Sequence, residues 1–157
     1  MDRDFYFDND FITVITQAMD EAERRKIPFV PNILIVKIIY DSCEESFFKK
    51  LINFLGLNPK DIEKACEKQI DLCIKNEDYN NWGLDIIVFD EAEAVSLSGE
   101  GTIDELDFFI SLVLLKEKYF VNFFAEFNKD LADVELYFRG ARNKVVESIY
   151  NRSRYYS

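Results

Sequence analysis

The chain has 157 residues and a formal net charge of −11 at neutral pH, which is the size of one domain with a substantial core. Apolar residues make up 48% of the sequence, so intrinsic disorder is not expected. An acidic surface repels phosphate groups, and we therefore expect neither a nucleic-acid partner nor a membrane partner. Only five glycines and three prolines occur, and this scarcity of turn-forming residues favours helices joined by short loops.

Four helices are predicted in the first half of the chain, because apolar residues recur there with the three- and four-residue spacing of a helix face. The first begins after the capping residues Asp8–Asp10, and we expect Asn32 to cap the second. Gly56 is expected to end the third helix as a C-terminal cap. Asn58-Pro59 then opens the fourth, with proline in the first turn.

A polar connector over residues 75–83 follows, and Trp82 at its far end is expected to be a packing anchor. The helical pattern then starts again over residues 84–138, with a loop at Ser98–Gly101. Residues 139–157 form a basic, weakly amphipathic tail. This tail is expected to be a last helix packed on the acidic body; a linker to a following domain and a docking arm are the alternatives.

An internal repeat is the strongest signal in the sequence. A shift of 72 residues places Asp61-Ile62-Glu63 on Asp133-Val134-Glu135 and Phe48 on Phe120. The order of the helices and the positions of the loops also agree between the halves. We therefore predict an all-α fold with two pseudo-twofold-related four-helix repeats, about residues 11–74 and 84–138, packed into one compact domain with a C-terminal helix or tail.

Catalytic and cofactor chemistry finds little support in the sequence. The chain has no histidine and no G-x-x-x-x-G-K-[ST] phosphate-binding motif, so we expect neither an enzyme nor a resident cofactor or metal. Cys66 and Cys73 lie on one helix face and are expected to be core. The clusters Asp90–Glu93 and Asp104–Asp107 are interpreted as solvated helix faces and first-turn acids. Reduced thiols and the absence of a visible signal peptide indicate a cytoplasmic protein.

An aromatic stripe in the second half has more rings than one helix face of a small domain needs. We interpret part of it as plain core and part as a groove that accepts an apolar segment of a partner. The candidate protein-binding residues are Phe108, Phe109, Tyr119, Phe120, Phe123, Phe124 and Phe127.

Several of these patterns occur together in one known family. Ala18-Met19-Asp20-Glu21-Ala22, the capped apolar second helix and the turn Leu55-Gly56-Leu57-Asn58 resemble one repeat of the Clp N-terminal domain, the double-repeat module at the front of Clp-type AAA+ unfoldases. The resemblance covers Phe11 to about Phe138. It implies a docking platform without catalytic residues, which receives adaptor proteins or unfolded substrates for a Clp ATPase.

The sequence departs from that family at the start of the second helix of each repeat. Family repeats often read Gly-Thr-Glu-His there, whereas this chain reads Pro31-Asn32-Ile33-Leu34 and Asp104-Glu105-Leu106-Asp107. In some relatives the glutamate helps to hold an arginine-phosphate mark. Because Ile33 and Leu106 replace it, we do not expect recognition of that mark.

Three functional hypotheses follow from the sequence. The first is a module that docks adaptors or substrates for a Clp-type ATP-dependent unfoldase or protease. The second is a stand-alone interaction or regulatory protein with the same type of fold and no fused ATPase. The third, from another class, is a small carboxylate- or metal-dependent enzyme, which would need several carboxylates to converge in one pocket.

Overall fold

A computed structural model describes residues 4–79, 81–96 and 101–156 and is dominated by helices. Within these residues the helices are α1 (Asn9–Arg24), α2 (Asn32–Ser42), α3 (Phe47–Phe54), α4 (Pro59–Lys75), α5 (Ile86–Ala94), α6 (Glu105–Leu114), α7 (Lys118–Ala125) and α8 (Leu131–Tyr156). Two short strands, β1 (Tyr6–Phe7) and β2 (Thr102–Ile103), accompany them. The predicted all-α class is thus confirmed in its main feature, and the strands were not predicted.

Local capping chemistry places several helix ends where the sequence indicated. The Asp8 carboxylate accepts a hydrogen bond from the Phe11 amide at 2.7 Å and caps α1. Asn58 accepts one from the Lys60 amide at 3.0 Å and caps α4. Gly56 has φ +69°, and the Leu57 amide next to it donates to the Ile52 carbonyl at 3.1 Å. This is the glycine-capped helix end that was predicted for α3.

Two residues of the first half and the connector have other roles than predicted. Pro31, not Asn32, holds the N-cap position of α2, and Asn32 is the first helical residue. The Asn32 side chain is only 7% exposed because it points towards the second half of the chain, where it meets Asp85. Trp82 is not a packing anchor, since it is 72% exposed.

The C-terminal region is one continuous helix rather than a short helix followed by a separate tail. Helix α8 runs through Gly140 without a break. The Arg142 guanidinium forms an ion pair with Asp107 of α6, and Asp107 is 1% exposed. Asp107 is therefore a first-turn acid of α6, as predicted, but the prediction of a solvated face is wrong for this residue. The loop predicted at Ser98–Gly101 lies outside the described residues, except for Gly101.

Two short parallel strand pairings connect the two halves of the chain. Strand β1, which precedes α1, pairs with β2, which precedes α6. Phe29, which precedes α2, forms a parallel bridge with Gly83, which precedes α5. The Val30 amide donates to the Gly83 carbonyl at 2.8 Å, and the Gly83 amide donates to the Pro28 carbonyl at 3.1 Å. Each half thus holds the start of a helix of the other half.

A single core, rich in aromatic side chains, spans both halves. Helix α3 packs against α8, and α4 packs against α7, so neither half closes a core alone. The Phe109 ring lies nearly parallel to two others: its centroid is 5.3 Å from that of Phe48 and 4.9 Å from that of Phe138. All three rings are fully buried. This stack joins α3, α6 and α8 at the centre of the molecule.

We predict that Phe109→Ala lowers the free energy of unfolding by about 3–5 kcal/mol, because it opens a cavity between two buried rings. Urea unfolding followed by circular dichroism measures the change. Phe54→Ala is the matched control, since Phe54 is 71% exposed, and it should change the same quantity by about 0.5 kcal/mol or less. Equal effects of the two substitutions would contradict the arrangement of the core.

Candidate binding cleft

A cavity of about 170 Å³ lies at the junction of the two halves, beside the Phe29–Gly83 bridge. Its walls come from the segment that enters α2, the end of α4 with the connector, the segment that enters α5, and the start of α7. The lining residues are Phe29, Val30, Pro31, Asn32, Cys73, Asp78, Tyr79, Asn81, Gly83, Asp85, Glu117, Lys118 and Tyr119. We refer to this cavity as the junction cleft.

Three helices, α2, α5 and α7, begin at the junction cleft, and α5 and α7 are each capped by a carboxylate of their own sequence. Asp85 Oδ1 accepts hydrogen bonds from the Ile87 and Val88 amides at 3.0 and 3.3 Å. Glu117 accepts from the Tyr119 amide at 3.3 Å through Oε1 and from the Phe120 amide at 2.8 Å through Oε2. The partial positive charge at the starts of α5 and α7 is therefore already satisfied by internal acids, whereas the start of α2 at Pro31 has no side-chain cap. Because Asp78, Asp85 and Glu117 all line the cleft, its charge still disfavours an anion.

Asn32 contributes a buried amide to the same cleft. Its Nδ2 donates to Asp85 Oδ2 at 3.0 Å. No donor among the described residues forms a hydrogen bond with its Oδ1. Because an unsatisfied buried acceptor costs about 1–3 kcal/mol, this oxygen marks a position where a donor from outside the chain would be stabilising.

A third carboxylate, Asp78, lies on the connector side of the cleft. The Tyr119 hydroxyl donates to Asp78 Oδ2 at 3.0 Å, and Asn76 Nδ2 donates to the same hydroxyl at 3.3 Å. The Lys118 ammonium lies 3.4 Å from Asp78 Oδ2. Its side chain is largely exposed, so this ion pair sits at the rim and is weak.

Aromatic rings form a wall that runs from the cleft to the surface. Phe29 and Tyr79 stack with centroids 4.2 Å apart and an angle of 17° between the rings. Trp82 continues the wall, with its centroid 5.9 Å from that of Tyr79. Because Trp82 is exposed, a large aromatic surface is available to a partner beside the acidic groups.

Burial and the clustering of acids alter the protonation of the cleft. Burial raises the pKa of Glu117 to about 7; the charges of Asp85 and Asp78 act in the same direction, and the two amide donors oppose the rise. Burial also raises the pKa of the Cys73 thiol and of the Tyr119 hydroxyl to about 12. Of these three groups, Glu117 is therefore the one that changes its charge near neutral pH.

A second groove, of about 270 Å³, lies where α1, α3 and α6 begin. Glu105 reaches across it from α6, and its carboxylate accepts a hydrogen bond from the Phe48 amide of α3 at 3.2 Å. Burial raises the pKa of Glu105 to about 7 against the effect of the α3 amides. This groove resembles the junction cleft in its acidic caps, but it has neither an unsatisfied buried amide among the described residues nor an exposed tryptophan.

The aromatic residues that the sequence singled out are mostly inside the protein. Tyr119 is buried and lines the junction cleft, and Phe127 is half-buried. The remaining five are fully buried: Phe108, Phe109, Phe120, Phe123 and Phe124. They form the shared core and not a groove on the surface, so a partner cannot contact these five rings in this structure.

Sequence reasoning missed the residues that line the junction cleft. Phe29, Asn32 and Tyr79 are far apart in the chain, and only the pairing of the two halves brings them together. One signal could have indicated the region. The polar connector contains Tyr79 and Trp82, and exposed aromatics in a polar loop are typical of binding surfaces.

Comparisons with known proteins give no identification. No protein-family model matches the chain, and no curated protein matches it. In the part of the chain that the structure covers, no three His, Cys, Asp or Glu side chains are grouped as a metal site would require. No helix of the described ranges is both long and apolar enough to cross a bilayer.

The raised pKa of Glu117 predicts a pH-dependent stability. Its folded pKa of about 7 exceeds the ordinary value of 4.5, so between these values the folded chain binds more protons than the unfolded chain. This contribution to stability is complete below about pH 4.5 and is lost as the pH rises through about 7. Glu105 acts in the same direction. We therefore expect the free energy of unfolding to fall between about pH 5 and about pH 8.

Glu117→Gln keeps an acceptor for the α7 amides and removes the titratable carboxylate. The free energy of unfolding should therefore fall less with rising pH in this variant than in the wild type. Urea unfolding at several pH values measures the slope. Glu44→Gln is the control, because it changes the net charge equally at an exposed position. The same slope in the two variants would contradict the role given to Glu117.

Proposed function

We propose that this chain is a protein-binding module that docks adaptor proteins or unfolded substrates for a Clp-type ATP-dependent unfoldase. The proposal joins the sequence resemblance to one structural observation, which is the junction cleft with the exposed Trp82 beside it, in ring contact with Tyr79 of the lining. A cleft at the junction of two helical units, with an aromatic rim and a few convergent polar groups, suits recognition of a protein segment.

We further propose that the two halves are related repeats arranged about an approximate twofold axis. The order of α1–α4 corresponds to that of α5–α8. The reciprocal pairings of β1 with β2 and of Phe29 with Gly83 agree with such an axis. The packing of α3 on α8 and of α4 on α7 also has the reciprocity that duplicated halves would give. On this proposal the junction cleft and the second groove are corresponding sites that have diverged.

A photo-crosslinking residue in place of Trp82, in the source cells, tests the docking role. We expect it to capture a Clp ATPase subunit, a Clp adaptor or a substrate of that machine. The same residue in place of Lys60 is the control, because Lys60 is exposed at the opposite end of α4 from Cys73. Capture of these components from neither position, or from both equally, would contradict docking at the cleft.

The stand-alone interaction protein remains the alternative, and the size of the native polypeptide separates it from a fused module. Blotting of source-cell extract with an antibody against this domain gives that size. A band much heavier than 18.5 kDa would favour a module within a larger machine. A band at that mass would favour a free-standing binder.

A further inference from the structure

Oδ1 of Asn32 is a buried hydrogen-bond acceptor for which the described residues supply no donor. Asn32 is more than nine-tenths buried and lines the cavity, and its Oδ1 accepts no hydrogen bond from the described residues. The orientation of the amide is fixed, because its Nδ2 donates to Asp85. A hydrogen-bond donor of a ligand that reaches this oxygen would satisfy it, whereas an acceptor would not.

The surrounding charges determine which sign of charge a ligand of the cleft should carry. Asp78, Asp85 and Glu117 all line the cavity, and Lys118 at the rim is the one cationic side chain among the described lining residues. The starts of α5 and α7 do not offset the acids for an incoming anion, because the acids already occupy them. A donor that is also a cation fits, and a phosphate or carboxylate ligand is repelled.

The remaining hydrogen-bonding capacity favours an ammonium over a guanidinium. A guanidinium binds best to a carboxylate that offers both oxygens. Both oxygens of Asp85 and both of Glu117 already accept hydrogen bonds, and Oδ2 of Asp78 accepts from Tyr119. An ammonium is a compact charge with three separate donors, so it can use single acceptors from different residues.

The wall of the cleft suits the stem of a lysine side chain. Phe29 and Tyr79 stack on each other in the lining of the cavity, and Trp82 lies against Tyr79. A chain of methylene groups can lie on these rings while the charge reaches the acids. We infer that the junction cleft binds the ammonium group of a lysine side chain presented by a partner polypeptide. This inference rests on the proposed docking function and names the chemistry that its site recognises.

Titration of the whole chain with three blocked, otherwise neutral peptides tests this specificity. They differ in one residue, which is lysine, arginine or acetyl-lysine. Emission of Trp82, the sole tryptophan of the sequence, reports binding, and the side-chain amide resonance of Asn32 in an NMR spectrum locates it. We expect saturable binding of the lysine peptide, weaker binding of the arginine peptide and none of the acetyl-lysine peptide. Equal responses to lysine and acetyl-lysine, or tighter binding of arginine, would overturn the inference.

Two variants at neighbouring positions should have opposite effects on the affinity for the lysine peptide. Glu117→Gln removes one acceptor charge and should weaken binding roughly tenfold. Lys118→Met removes the competing cation at the rim and should strengthen it. Glu105→Gln, in the second groove, removes a comparable carboxylate and should leave the affinity for the lysine peptide unchanged. Weakening by Glu105→Gln as strong as that by Glu117→Gln would show a general charge effect and overturn the assignment.

The pH dependence of binding gives a readout that a purely structural role would not change. Binding of an ammonium requires ionised Glu117, so affinity should rise between about pH 6 and about pH 8. The groups that face Glu117 are Asp78, Asp85, Cys73, Lys118 and Tyr119. The pKa values of Cys73 and Tyr119, about 12, keep both neutral in this range. In Glu117→Gln the rise should disappear, and its persistence would count against the inference.

The source of the ammonium and the identity of the machine are tested separately. Binding of n-butylamine as tightly as the lysine peptide would show a site for free amines and would overturn the polypeptide partner. Lysine-specific binding without capture of a Clp component from position 82 would leave the cleft chemistry standing and remove the unfoldase role. Equal capture of a Clp component by the crosslinking residue at position 82 with and without Glu117→Gln would keep the docking function and overturn the ammonium site.

Discussion

The stack of Phe48, Phe109 and Phe138 is the contact on which the rest of the structure depends. These rings belong to α3, α6 and α8, so the two halves of the chain must close on each other before either has a core. Burial of large aromatic surfaces is the dominant favourable contribution in such a domain. The short pairings of β1 with β2 and of Phe29 with Gly83 then hold the helix starts in position around that core.

Closure of the halves brings helix N-termini together at two places, and this has electrostatic consequences. Converging N-termini concentrate partial positive charge, which often attracts an anionic ligand. This chain supplies its own anions instead: Asp85 and Glu117 at the junction cleft, and Glu105 in the second groove. The cost is the desolvation of these carboxylates, which is seen in the raised pKa values of Glu117 and Glu105. The junction cleft is therefore acidic, and its charge would change near neutral pH.

The aromatic stripe of the second half shows what sequence periodicity can and cannot predict. The spacing of Phe120, Phe123 and Phe124 correctly indicates one apolar helix face. It cannot tell whether that face is covered by another part of the same chain or left open for a partner, because either state needs the same apolar residues. Here α4 covers it. Conversely, Trp82 is open to solvent although its large apolar ring predicts burial. The short connector places it beside the cleft.

What the sequence by itself determined were the features that depend on neighbours within a few residues. The caps at Asp8 and Asn58 and the positive φ of Gly56 follow from the chemistry of single turns, as does the predominance of helices. Only the tertiary structure decided the role of Asn32, the burial of Asp107 beside Arg142 and the continuity of α8 past Gly140. Each of these depends on groups from distant parts of the chain, so no local pattern encodes it. The junction cleft belongs to this second kind, because its walls meet only when the two halves pack together.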